Sequence, residues 1–242
     1  MAHTYPARSK ASLSKQLANF TNSTAGLDLT LRLVHALVLI GAELNLDNAT
    51  VTKCAIAASQ LALARRYLRF FCFLDFFQNV QDLLAGGSAA GTMMMMLEVV
   101  ESSCLGLYFL LEDLTMLHDM NIYLVSWYMP VLLEANKFWF YAICISIART
   151  SKELVLGSAG PSTTSGTSGT DEKKQEKTKE VAPAKPAPST LSLLNRIVID
   201  SLDLTLPGSF LGWIPLETLG IGMAMLVSTV LVWPTAWAKA QQ

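Results

Sequence analysis

The chain has 242 residues, of which 52% are hydrophobic and only 15% charged, with a mean hydropathy of +0.38. Soluble domains carry roughly a quarter of charged residues, so membrane association is the first expectation. A net charge of −1 excludes a strongly basic nucleic-acid binder on composition alone.

Residues 1–26 form a polar N-terminal segment without the apolar core of a secretory signal. Without a secretory route, the sequons at Asn19, Asn22 and Asn48 read as chance matches. Cys54, Cys72, Cys104 and Cys144 lie far apart in apolar segments with no CxxC pair. They fit reduced thiols in a cytosol-facing protein, with no disulfide framework and no metal site.

Residues 27–156 read as a helical, membrane-associated region. From Thr24 to Leu46 a broad apolar face carries Leu27, Leu31, Val34, Val38 and Leu44, with Arg32 and His35 among them. Asp47 and Asn48 offer caps for a second helix expected over about 49–84. AGGSAAGT then breaks the chain, and a third helix is expected from Met93 to about His118. Pro130 and the Glu134/Lys137 pair punctuate a fourth apolar region, Ile122 to Ile147. Its uncharged core, Phe138 to Ala148, is too short to cross a bilayer alone. A span over about 131–148 has to submerge Glu134 and Lys137, so this is either a membrane helix or a buried bundle helix.

Residues 157–190, built from Ser, Thr, Gly, Pro, Lys and Glu, are expected to be a disordered linker. The last segment, 191–242, contains the strongest membrane candidate, about 216–233, uncharged from Thr218 to Trp233. Trp213 and Trp233 stand about 30 Å apart at helical rise, one at each expected membrane interface. Pro234 marks a plausible far edge. With no strand alternation or hairpin signal, the fold class is all-α: a membrane-associated helical bundle with one or two transmembrane helices.

Leu63 to Phe77, LARRYLRFFCFLDFF, sets three arginines in a greasy run. At about 100° per residue, Arg65, Arg66 and Arg69 share one side of a helix, with Ile56, Leu63, Tyr67, Phe70, Phe71 and Leu74 opposite. Such a helix either packs in a bundle or lies in a membrane interface, aromatics among acyl chains and arginines at phosphates. Phe73 and Phe76 rotate onto the arginine side and spoil the pattern.

An enzyme is not expected. His3, His35 and His118 are scattered, and no HExxH, GxSxG, GxGxxG or P-loop pattern occurs. Glu98 with Glu101, and Glu112 with Asp113, read as solvated helix faces, and Met93 to Met96 as helix packing. Gly220 and Gly222 read as a close-packing site within the last span.

RLVHALVLIGAEL, QLALARRYLRFFCFLDFFQNVQDLL, LGLYFLLEDLTML, ANKFWFYAICISIART and LLNRIVIDSLDLTLPGSFLGW occur in this order. The most specific pieces are Arg66-Tyr67-Leu68-Arg69-Phe70 and the Arg196, Asp200, Asp203 block before Gly212-Trp213. Together the blocks resemble the peroxisomal biogenesis factor 11 family (peroxin 11), in its fungal-type form. The resemblance implies an integral protein of the peroxisomal membrane that binds anionic phospholipid through the helix matching Ile56 to Leu74 and elongates the membrane, promoting proliferation and fission. It implies a peroxin 19 type targeting receptor, a dynamin-like GTPase and a tail-anchored fission adaptor as partners. A homo-oligomer is also expected, with no cofactor. Arg65, Arg66 and Arg69 are then the lipid-facing cations, and Leu63, Tyr67, Phe70, Phe71 and Leu74 the apolar wedge.

A rival reading is an oligomeric metabolite channel of the same membrane, for which Glu134, Lys137 and Glu217 are the intramembrane candidates. For topology, the resemblance implies cytosolic termini and a linker facing the peroxisomal matrix. The positive flanks Arg149, Lys152 and Arg196 favour a cytosolic linker instead.

Overall fold

A computed structural model describes residues 12–45, 47–86, 92–158 and 189–242. The linker expected at 157–190 lies almost wholly outside the described residues, as do the glycines of the break at 87–91 and the first eleven residues of the polar N-terminal segment. The described chain is all-α: α1 (Leu13–Asn22), α2 (Thr24–Leu44), α3 (Asn48–Leu68), α4 (Cys72–Gly86), α5 (Thr92–Asp119), α6 (Tyr128–Ser158), α7 (Thr190–Phe210) and α8 (Thr218–Ala240).

Polar caps set several of the starts. Ser23 accepts from the Gly26 amide at 3.1 Å to open α2, and Ser189 accepts from Ser192 at 3.3 Å to open α7. Asp47 accepts from the amides of Ala49 and Thr50 and from the Thr50 hydroxyl, which hold its carboxyl below the usual range. Pro130 falls in the first turn of α6, where no intrahelical amide bond is lost. Pro234 is not an edge: α8 continues through it to Ala240.

The helix expected over 49–84 is two helices. It breaks at Arg69–Phe71, with Phe71 in the left-handed region at φ 67°. No glycine or proline announces this turn. The Phe71 amide, left without a helical acceptor, donates to Asp113 Oδ2 of α5 at 3.0 Å.

Neighbouring helices run antiparallel. Phe77 against Gly106 and Asn79 bonded to Ser102 align α4 with α5. Tyr108 stacked on Trp139, and Glu101 paired with Arg149, align α5 with α6. Ser146 bonded to Asp200, and Phe140 against Trp213, align α6 with α7. Arg32 bonded to Ser228, and Phe20 against Trp233 and Trp237, align α2 with α8. With these alternations, the described residues that flank 159–188, the end of α6 and the start of α7, lie at the same end of the bundle as α1 and the end of α8.

The distribution of polarity is that of a membrane protein. Four helices, α2, α5, α6 and α8, are long and apolar enough to cross a bilayer, where one or two had been expected. Their outer faces expose Val34, Leu37, Val100, Leu114, Leu133, Met223, Val227 and Val230. The interior holds Ser102, Glu112, Thr115, Asn136, Ser146, Thr150, Ser228 and Thr229. Exposed aliphatics around buried polar groups suit a hydrocarbon solvent, in which polar side chains turn to one another.

Candidate functional site

The three arginines of the basic helix point into the bundle. α3 turns their shared side toward α2 and α5, both of which offer carboxylates. Arg65 forks onto Asp28, Nε to Oδ1 at 2.9 Å and Nη2 to Oδ2 at 3.4 Å. Arg66 donates through Nη1 to Asp119, and through Nη2 to the Glu112 carbonyl at 2.7 Å and Thr115 Oγ1 at 2.6 Å. Arg69 reaches Glu112 Oε1 at 3.5 Å and lies over the Phe109 ring at 5.6 Å. The placement of these guanidiniums at lipid phosphates, which the resemblance implied, is not the arrangement of this conformation; the other reading of the helical pattern, packing in a bundle, is.

Glu112 is the centre of the cluster, which corrects the reading of it as part of a solvated face. It is 7% exposed and also accepts from the Tyr108 hydroxyl at 3.1 Å. Glu101 is not simply solvated either, pairing with Arg149 at 2.8 Å and Arg196 at 3.6 Å. Arg32, on the apolar face of α2, pairs with Asp203 of α7 and donates to Ser228 of α8 at 2.8 Å. The Arg196, Asp200, Asp203 block is thereby divided. Arg196 and Asp200 meet at Ser146, while Asp203 joins Arg32. A lone acid within an apolar helix carries no local signal of its partner. Arg32, Arg65, Arg66 and Glu101 each find an opposite charge on another helix.

Arg32, Arg65, Arg66 and Arg69 line one cavity of about 640 Å³ together with Asp28, Glu112 and Asp203. The expected intramembrane candidates Glu134, Lys137 and Glu217 do not line this cavity. Lys137 and Glu134 pair with each other at 2.7 Å on an open face of α6, and Glu217 is an exposed cap residue.

The apolar residues of the same segment face outward. Tyr67, Phe70, Phe71 and Leu74 are 45%, 41%, 57% and 55% exposed, and Leu63 is half-buried. The break explains the imperfect wheel. After Phe71 the helical phase is reset, so that Phe76 stacks on Phe109 at 5.3 Å and Phe77 fits against Gly106 of α5. The exposed aromatics therefore crown an elbow whose inner side is ionic. Trp213, exposed against Phe140 at 5.0 Å, and Trp233, against Phe20 at 4.8 Å, stand toward opposite ends of α8.

No curated protein and no solved structure matched the chain. The description of Peroxisomal biogenesis factor 11, by contrast, matches residues 14–237, from α1 to the last turns of α8. The match takes in the elbow, its ionic inner side and all four membrane-capable helices. The chain belongs to the Peroxisomal biogenesis factor 11 family, and is a peroxisomal membrane protein of peroxisome biogenesis and proliferation.

Proposed function

We propose that the chain is integral to the peroxisomal membrane and elongates it by seating the α3–α4 elbow in one leaflet. The observation that carries this reading is the joint exposure of Tyr67, Phe70, Phe71 and Leu74 while the arginines behind them are paired inward. Bulky rings in one leaflet expand it relative to the other and bend the sheet. The ion pairs of Arg65, Arg66 and Arg69 fix the elbow to α2 and α5, so the wedge is held against the load of the lipid it displaces. Trp213 and Trp233 anchor the last helix at the two interfaces. The remaining partners are the anionic lipid surface, a peroxin 19 type receptor, a dynamin-like GTPase with its tail-anchored adaptor, and further copies of the chain. Raised expression of the full chain is expected to lengthen and multiply peroxisomes. A tagged chain found only on mitochondria or endoplasmic reticulum, or peroxisomes unchanged in length and number, overturns the proposal.

The helix order adds a topology. With the bundle axis along the membrane normal, the termini and residues 159–188 face the same side, which reconciles cytosolic termini with the positive flanks Arg149, Lys152 and Arg196. On intact peroxisomes, protease sites placed at either terminus and at Thr170 are expected to be cut together. Protection of the Thr170 site with both termini cleaved excludes this arrangement.

A further inference from the structure

The turn between α5 and α6 keeps its polar groups inside and its apolar side chains outside. From Met120 to Leu133 the chain carries no acidic, basic or histidine residue. Ile122, Tyr123 and Leu124 are 64%, 66% and 66% exposed, and Trp127 and Met129 are exposed beside them. The backbone is closed on itself. The Asn121 amide donates to the His118 carbonyl at 2.9 Å, and the amides of Ile122 and Tyr123 both donate to the Leu117 carbonyl at 3.1 Å. The Val125 amide donates to His118 Nδ1 at 3.0 Å. The Tyr128 hydroxyl donates to Asp119 Oδ1 at 2.6 Å, and its ring stacks on His118 at 4.0 Å.

Water and lipid ask different things of such a turn. In water, backbone amides can be left to the solvent, and a cluster of exposed apolar side chains is a liability. In lipid the amides need partners within the chain, and the apolar side chains need none. The α2–α3 turn, at the same end of the bundle, is the contrast, for it presents Asn45, Asp47 and Asn48 to its surroundings. Three further features favour lipid over a protein neighbour. The exposed apolar surface runs without interruption by charge from the turn onto the outer face of α6, through Met129 and Leu133. Tyr123 and Trp127 are of the aromatic types that settle at a membrane interface. Trp127 and Arg149 stand about 33 Å apart at helical rise, close to the thickness of a hydrocarbon core. Within that length Glu134 and Lys137 neutralise each other at 2.7 Å.

We propose that the α5–α6 turn is seated in the lipid leaflet away from the termini, with Ile122, Tyr123, Leu124 and Trp127 among headgroups and upper acyl chains. The inference rests on the chain crossing the membrane, as proposed above, and not on the elbow's action. The test reconstitutes the full chain into phosphatidylcholine vesicles and reads tryptophan fluorescence. The Trp127 signal is the difference between wild type and Trp127→Phe. Phosphatidylcholine brominated high on its acyl chains is expected to reduce that signal at least twofold, and iodide present on both sides of the bilayer is expected to have the smaller effect. If Trp127→Phe melts early in detergent, Tyr123→Trp is read instead, with the same loss expected of its added fluorescence. A larger effect of iodide than of bromine puts the turn in water; protection from both puts it against protein, a second copy included. Either result overturns the proposal. Alkaline extraction of the vesicles separates the two readings. A chain released by alkali removes membrane crossing as well, whereas a retained chain whose turn iodide reaches overturns this seating alone.

Discussion

Replacing Arg66 with methionine is expected to lower stability by about 3–5 kcal/mol, the cost of breaking a buried charge network from one side. Arg66 is 12% exposed at its side chain, and its partners Glu112 and Asp119 are 9% and 20% exposed. Methionine keeps most of the volume, so the loss is electrostatic, with two carboxylates left in a medium that cannot solvate them. The Glu112 carbonyl and the Thr115 hydroxyl lose their donor as well. Lysine in this place retains the charge but not the fork that serves three acceptors, so Arg66→Lys is expected to fall between methionine and wild type. The triple variant Arg66→Met, Glu112→Gln, Asp119→Asn removes the stranded charges and is expected to recover much of the loss. Thermal melting of the detergent-solubilised chain measures all three. If Arg66→Met melts with wild type, the guanidinium is an ordinary surface group, as a helix lying on a membrane would have had it.

The opposite behaviour is expected of the outer side of the elbow. Phe70→Ser with Phe71→Ser should leave the fold nearly intact, because the two rings are 41% and 57% exposed and stand edge to face at 4.3 Å. Each ring in acyl chains contributes about 1.5–3 kcal/mol, so losing both weakens membrane seating by roughly a hundredfold or more. Peroxisome elongation should be abolished while the chain still reaches the organelle. Phe71→Gly separates wedge from fold further. A phenylalanine at φ 67° carries strain of about 1–2 kcal/mol that glycine does not. This variant is expected to melt higher than wild type and elongate less. Full elongation by the double serine variant would show that the exposed rings are only the lipid-facing side of an ordinary membrane helix.

The sequence by itself determined the helical class, the cap at Asp47, the limits of α5 to within a residue or so at each end, and the charge-free run at the core of α8. These are local quantities: apolar spacing, capping chemistry and the length of a run lie within one segment, and the order of the five blocks lies along the chain. The tertiary structure alone decided where Arg65, Arg66 and Arg69 point. Helical periodicity groups residues on a face but is silent about whether that face meets solvent, lipid or another helix. The answer depends on Asp28, 37 residues before Arg65, and on Glu112, 43 residues after Arg69. The break at Phe71 belongs to the same class, since the Asp113 carboxylate that receives its amide stands 42 residues away. The same holds for what the charges in the apolar helices meet. Arg32, Glu112 and Arg149 count against membrane entry when each segment is weighed alone, and cease to do so once Asp203, Arg69 and Glu101 on neighbouring helices neutralise them. A charge's cost in a membrane is set by its partner, and each of these three has one on another helix.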